Sequence, residues 1–432
     1  MSASANLSTV VNLNASIFAT ASSTQHFQYQ RFCPKSRMQF GSNVGSFSGL
    51  GDSFVLTRKD NLCPIVLENQ TNMLFADTLV NLVRSDTGNF IPSDDQKCRE
   101  FKQIHEDHVK VSDEELEFPL AFSFNVHKEF NQFARLFRAV YRHHNAYCIH
   151  VDAKSDLIFR RKVEYLATCF GPNVYVIPLK QSISIRWGDL GTLEAWIRCA
   201  DFFLKQSVIR WKYVLNGSGQ EFPLRTNWEL VKALKAVNGS NIVESDYPNT
   251  GKPRVPKKPL SFNVTWFKSS IYTALRRDMV QFIFTNKYAT GILALLRTEG
   301  HLSKLQDEVF FATLNYNPHF NAPGGCPEVH RPNQSDPRSA FVTRYADWSP
   351  ISCMSKRSQR GVCIMGVRNI PKLIRRPEFF VNKFIYDFEP LAFDCLEWWL
   401  FRKIHDERDF GHTAIDFDPS FYRNLYCSRN HL

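Results

Sequence analysis

No Cys-x-x-Cys pair occurs anywhere in the 432 residues, although cysteine itself is not scarce. That absence argues against zinc ribbons and thioredoxin-type redox motifs. No apolar run approaches the roughly 18 residues that a membrane-spanning helix needs; the stretch 289–296 (ATGILALL) is too short. Residues 1–30 are rich in Ser, Ala, Asn and Thr, and they lack both the charged start and the apolar centre of a signal peptide. The formal charge of +11 comes from 53 basic and 42 acidic residues dispersed along the chain. No helix-turn-helix, zinc finger or aromatic-basic repeat accompanies it, so nucleic acid is not the expected partner. A single Asp-x-Asp occurs, Asp416-Phe-Asp418, far along the chain, and Asp387-Phe-Glu389 is an acidic near miss. Both read as solvated turns rather than as holders of a metal ion.

What is present is a chain that can bury a large core. It is 44% hydrophobic and 14% aromatic, with 37 Phe and 8 Trp, a composition incompatible with disorder over most of its length. The aromatics are read first as core and only second as platforms for flat ligands. Eleven cysteines stand at 33, 63, 98, 148, 169, 199, 326, 353, 363, 395 and 427. Asn-x-Ser/Thr sequons occur at Asn6, Asn14, Asn69, Asn216, Asn238, Asn263 and Asn333. One sequon arises easily by chance; seven beside scattered cysteines favour passage through an oxidising, secretory compartment.

Residues 1–60 mix Ser, Asn, Gly and Phe without periodicity and are expected to be a disordered tail or stalk. Residues 61–117 read as a stem packed on the main domain, 118–402 as that domain, and 403–432 as a C-terminal tail. Within the main domain, 120–126 (LAFSFNV), 146–151 (AYCIHV) and 173–177 (NVYVI) are short buried strands. Helical spacing fills 128–141 and 160–169 between them, and 191–205 follows. Alternation of strand and helix predicts an α/β fold with a mostly parallel central sheet. Ligands of such sheets bind beyond the carboxyl ends of the strands, where His127 and Asp152 stand.

Several segments in order then carry a resemblance. Phe118-Pro-Leu-Ala-Phe-Ser, Val126-His127, Tyr147-Cys-Ile-His-Val-Asp-Ala-Lys-Ser155, Trp211-Lys-Tyr-Val-Leu-Asn216, Glu221-Phe-Pro-Leu-Arg-Thr-Asn227, Asp307-Glu308, Arg360-Gly-Val-Cys363 and Phe380-Val-Asn-Lys-Phe384 resemble the core 2 and I-branching β-1,6-N-acetylglucosaminyltransferases. That family also contains protein xylosyltransferases. The resemblance runs from about residue 61 to 402 and implies a GT-A-like fold and inverting transfer of GlcNAc from UDP-GlcNAc. The acceptor it implies is the 6-hydroxyl of GalNAc or Gal on an O-glycan. It also implies a Golgi-lumenal type II membrane protein, with an anchor expected although none is visible here; a homodimer is left open. A UDP-sugar or anionic glycan would also suit the basic charge. Transfer of xylose or glucose, and a non-catalytic glycan-binding descendant, are the alternatives; the presence of Glu308, Arg360 and Lys383 weighs against the latter.

Each candidate residue has an ordinary reading beside the functional one. Asp152 reads as a turn cap on pattern alone; the resemblance places it with Val126 and His127 at the nucleotide. Arg360 and Lys383 would ordinarily be surface cations, but the resemblance makes them the pair that compensates the leaving diphosphate without a metal or other cofactor. Asp307 and Glu308 open an apolar helix, where acidic residues are common anyway; the resemblance makes Glu308 the general base and Asp307 its support. Glu244, Tyr345 and Trp348 are matched to acceptor contacts, with Arg344 nearby and with altered spacing. The implied disulfides are Cys63–Cys395, Cys98–Cys169, Cys148–Cys199 and Cys353–Cys363, while Cys326 and Cys427 are left to pair and Cys33 to stay free or bond elsewhere.

Overall fold

A computed structural model describes residues 62–68, 95–103, 111–206, 208–246, 248–330 and 340–432. The expected tail 1–60, much of the stem, Cys33 and the sequons at Asn6, Asn14, Asn69 and Asn333 lie outside them.

The main sheet grows from β1 (Leu120–Val126), which passes through helix α1 (Phe130–Val140) to β2 (Ala146–Val151) and through α2 (Leu157–Phe170) to β3 (Val174–Val176). Helix α3 (Gly191–Lys205) then crosses back to β4 (Tyr213–Ser218) on the other side of β1. Strands β3, β2, β1 and β4 are parallel throughout, with β1 paired to both β2 and β4. The chain therefore reverses its direction of travel between β1 and β4, the place where a doubly wound sheet opens a crevice.

Two further strands change the class of the sheet. After β5 (Glu221–Pro223), α4 (Asn227–Ala236) and β6 (Ile242–Val243) comes β7 (Thr273–Arg276), which pairs antiparallel with both β4 and β6. The six-stranded order is β3-β2-β1-β4-β7-β6, so the sheet is mixed, and the expectation of a mostly parallel sheet is corrected. The reason lies in β7 itself. Its four residues, Thr-Ala-Leu-Arg, run straight into helix α5 (Arg277–Thr285), and four residues are too few to display a period of two.

Alternation across the strands builds two cores. Ala121, Ala146, Cys148, Val214 and Leu275 face one layer with Trp196, Phe203, Met279 and Ile292. That layer is α3, α5 and α6 (Lys287–Thr298). Phe122, Phe124, Tyr147, Ile149, Tyr213 and Leu215 face the other, with Phe133, Phe137, Val163 and Leu166 of α1 and α2. A strand buried on both faces must be apolar at every position, which is why these segments read as continuous runs. On the first face small residues allow α3 to lie close, and Cys148–Cys199 joins β2 to it.

A third cluster covers a smaller sheet, ordered β5-β11-β8. Here β11 (Phe380–Asn382) lies between β5 and β8 (Arg344–Tyr345). Helix α8 (Pro390–Phe410) packs on it through Leu391, Leu396 and Leu400. The expected boundary at 402 thus falls inside α8, and the segment after it is packed: Tyr422 is buried and its hydroxyl donates to the Pro377 carbonyl at 2.7 Å. Among the described residues the disulfides are Cys63–Cys395, Cys98–Cys169, Cys148–Cys199, Cys326–Cys427 and Cys353–Cys363. Of the three described sequons, Asn238 and Asn263 are exposed. Asn216 is occupied internally, donating to the Ile271 carbonyl and accepting from the Thr273 N–H, each at 2.8 Å.

Candidate functional site

Val126 ends β1, and its carbonyl accepts from the Asp152 N–H just beyond β2 at 2.9 Å. Both readings of Asp152 meet in one carboxylate. Oδ1 accepts from the Lys154 N–H at 2.8 Å, closing the turn, and Oδ2 accepts from the Ile185 N–H at 3.3 Å, holding the loop 183–190. His127 follows β1, and the Ser155 hydroxyl donates to its carbonyl at 3.0 Å. Its imidazole is held below the ordinary value, first by loss of solvent and then by Lys128, with Lys383 and Lys154 adding and Asp152 opposing.

Arg360 and Lys383 are brought to the same place by different devices. Arg360 and Gly361, at φ 53° and 81°, form the two-residue turn between β9 (Ser358–Gln359) and β10 (Val362–Cys363). Such a turn requires positive φ at both positions, easy for Gly361 and strained for Arg360. Cys353–Cys363 ties the hairpin down. Lys383 directly follows β11, and its ammonium is held below the ordinary value, chiefly by burial and then by Arg360 and Lys128, while Glu221 opposes. An ammonium crowded by two neighbouring cations is an arrangement that suits an anion.

The carboxylates gather around the start of helix α7 (Asp307–Asn315). Glu308 Oε2 is held by Arg254 through Nε and Nη2, both at 3.2 Å. Oε1 has no hydrogen-bond partner among the described residues. The Ser269 N–H and hydroxyl donate to the Glu308 carbonyl at 2.6 and 3.1 Å, fixing the first turn. Asp307 is buried beside it and pushed up to about 7, by burial first and then by Glu308 and Asp189. Glu244, beyond β6, is likewise pushed up to about 7 by burial, with Lys268 opposing and Asp246 and Glu308 adding. Three carboxylates therefore share one neighbourhood, two of them easily protonated near neutral pH.

One loop joins the two halves. Within residues 183–190, Ile185 binds Asp152, the Trp187 ring lies 5.5 Å from the Arg360 guanidinium, and the Gly188 carbonyl accepts from Leu305 at 2.7 Å. Gly188 has φ 84°, a conformation that favours glycine. Trp187 and Trp348 are both well exposed, and Trp348 stands beside Gly361. Tyr345 is placed elsewhere. It is buried in the third core cluster, its hydroxyl reaches Asp347 at 3.5 Å, and Arg376 and Lys372 cover its ring. Arg254, Lys128 and Trp187 border the site without having been singled out from the sequence. The basic stretch 249–258 was the one available signal, for Arg254.

Asp416 and Asp418 line a separate cavity with Arg225, Glu229, Lys403 and Tyr422, and Asp418 caps the turn at Ser420 through bonds of 2.8 and 2.6 Å. Glu389 accepts from the Val367 N–H at 2.7 Å. Among the described residues no group of three or more His, Cys, Asp or Glu is placed to hold a metal ion.

A family profile described as "Core-2/I-Branching enzyme" matches residues 120–374, which include every site residue above except Lys383. A human N-acetyllactosaminide beta-1,6-N-acetylglucosaminyl-transferase is 31% identical over 353 residues, 76% of this chain and 83% of that protein. A rat beta-1,3-galactosyl-O-glycosyl-glycoprotein beta-1,6-N-acetylglucosaminyltransferase 3 is 31% identical over 331 residues, 71% and 74% of the two chains. The zebrafish protein of the same name numbered 4 is 31% identical over 348 residues, 73% and 77%. The profile match and these relatives together show that this chain belongs to the Core-2/I-branching enzyme family.

Proposed function

We propose that the protein is an inverting, GT-A-like glycosyltransferase moving GlcNAc from UDP-GlcNAc to the 6-hydroxyl of a Gal or GalNAc residue on an O-glycan, without a metal ion. The observation that carries the reading is the juxtaposition across loop 183–190: a clamped carboxylate with one open oxygen on one side, and Arg360 with Lys383 on the other. In the proposed step Glu308 Oε1 takes the proton of the acceptor hydroxyl as that oxygen bonds to the anomeric carbon. The bond from that carbon to the diphosphate breaks on the opposite face, and UDP leaves with the electron pair. Arg360 and Lys383 stabilise the charge that develops on it, the work that a metal ion does in other sugar transferases. Val126, His127 and Asp152 flank the nucleoside, and Glu244 with Trp348 contacts the acceptor. The disulfides and exposed sequons support a Golgi-lumenal location.

The burial of Tyr345 favours an acceptor pocket built differently from the one the resemblance implies. That bears on the acceptor alone; xylose or glucose as the transferred sugar is a second reading, carried by the resemblance to a family that includes xylosyltransferases. A screen of UDP-sugars against Gal- and GalNAc-terminated acceptors, run in chelator, tests both. Turnover with UDP-GlcNAc that survives chelator is expected, and its abolition by chelator would overturn the metal-free step. Glu308→Gln is expected to lower kcat by at least ~10²-fold; full turnover in that variant removes Glu308 as the base.

A further inference from the structure

Behind Lys383 lies a buried ion pair that the proposed reaction does not use. Glu221, on β5, is fully buried and stands opposite Asn382 in the antiparallel register with β11. Its Oε2 lies 2.8 Å from Arg344 Nη2, and its Oε1 accepts from the Ser218 hydroxyl at 2.9 Å. Tyr272 also hydrogen-bonds to it. Arg344 is itself buried between the rings of Tyr272 and Phe380, at 4.2 and 4.7 Å, and donates to the Asn216 carbonyl at 2.5 Å. A guanidinium cannot shed its proton in such a place, so it requires a counter-charge; burial raises the Glu221 carboxyl, while Arg344, Ser218 and Tyr272 oppose that rise and favour its charged form.

We propose that Glu221 is a positioning residue for Lys383: by neutralising Arg344 and bracing the strand end that carries Lys383, it keeps that ammonium charged and aimed for the diphosphate of a nucleotide. Glu221 reaches that strand end through Asn382, whose side-chain amide donates to its Oε1 at 3.5 Å, and backbone bonds hold the residues that follow. The Phe384 N–H donates to the Gln220 carbonyl at 2.9 Å, and the Lys383 carbonyl accepts from Met365 at 2.8 Å, so the residues on either side of the ammonium's attachment are held. The electrostatics point the same way. Lys383 faces Arg360 from the β9–β10 turn, Lys128 and His127 from the loop after β1, and Glu221 from β5. Glu221 is the one anion in that set. Remove its charge and the buried Arg344 becomes a further uncompensated cation behind an ammonium that is already crowded.

This inference rests on the nucleotide reading of the Arg360–Lys383 pair, and UDP binding itself, measured by calorimetry from pH 6.5 to 9.5, separates the two. In Glu221→Gln the affinity at pH 6.5 is expected to stay within about threefold of the native protein, because Lys383 is charged in both. The alkaline loss of affinity is expected to begin at lower pH than in the native protein. Adding Lys383→Arg to that variant should abolish the shift, because a guanidinium does not titrate in this range. Lys383→Arg alone, which leaves the buried pair intact, should reduce the native alkaline loss to the part that the uracil ring's own ionisation causes, so the idea remains testable even if Glu221→Gln fails to fold. An alkaline limb in Glu221→Gln that coincides with the native one, once the loss common to all variants from ionisation of the uracil ring is subtracted, overturns the positioning role. Absence of UDP binding by the native protein overturns the nucleotide reading and this inference with it.

Discussion

Replacing Glu407 by Gln should make the protein more stable at high pH and leave it nearly unchanged at low pH. Glu407 lies on α8 against α4, where it shares a buried space with Glu229 and Glu115, at 6%, 0% and 4% exposure. Lys403 is paired to Glu229 at 2.5 Å, and the Thr226 hydroxyl donates to Glu407 at 2.6 Å. Burial, and then the charge of Glu229, push the Glu407 carboxyl up to about 8 from its ordinary 4.5. The folded protein therefore holds a proton that the unfolded chain has released, and stability falls as pH rises from about 4.5 to about 8. From pH 5.5 up to about 8 the interval is roughly 2.5 units, which at about 1.36 kcal/mol per unit comes to about 3 kcal/mol. Relaxation and water entry on ionisation reduce such figures, so about 1.5 to 3 kcal/mol is the working range. Gln keeps an acceptor for Thr226 and does not titrate. Urea unfolding of both proteins at pH 5.5 and 8.5, with disulfides intact, reads the difference directly. Glu244 and Asp307, both pushed up to about 7, slope the same way in both proteins and cancel in the comparison. Stability curves that run parallel from pH 5.5 to 8.5 would refute the reasoning.

Two other predictions concern the carboxylate half of the site and its support. Arg254→Gln unclamps Glu308 Oε2 and should lower kcat about 5- to 30-fold, the equivalent of ~1–2 kcal/mol of orientation, with UDP affinity unchanged; steady-state kinetics showing a loss in donor binding instead would place Arg254 elsewhere in the reaction. Cys326–Cys427 closes a span of 101 residues that other disulfides already cross-link, so the double Ser variant should lose about 2–4 kcal/mol in non-reducing urea unfolding. A loss below about 1 kcal/mol would show that packing of the segment around Tyr422 suffices.

How much was legible depended on how far apart the causes lie. Strands β1 and β2 and helix α3 coincide with their sequence readings because each signal is local: an unbroken apolar run for a strand covered on both faces, a 3.6-residue period for a helix. Helix α4 likewise starts at a local signal, Thr226 and Glu229 capping each other reciprocally. The glycine-containing stretch 216–223 carries no local strand signal, yet β4 extends to Ser218 and β5 occupies Glu221–Pro223. Those residues become strand only by pairing with β1 and β11.

The sequence by itself determined the local chemistry: two covered parallel strands with a histidine and an aspartate at their ends, an acidic helix start, and cations at 360 and 383. Only the tertiary structure decided what those groups face. Arg254 meets Glu308 across 54 residues, Ile185 meets Asp152 across 33, and Glu221 stands against strand β11, more than 150 residues further along the chain. Those distances close because β7 joins the sheet antiparallel and because loop 183–190 is held at both ends. Periodicity reports which face of an element is apolar, and it carries no information about which distant element covers that face. The downward shift of the Lys383 ammonium, from burial and then from Arg360 and Lys128 with Glu221 opposing, follows from that covering, since all three residues lie far from it along the chain or on another element.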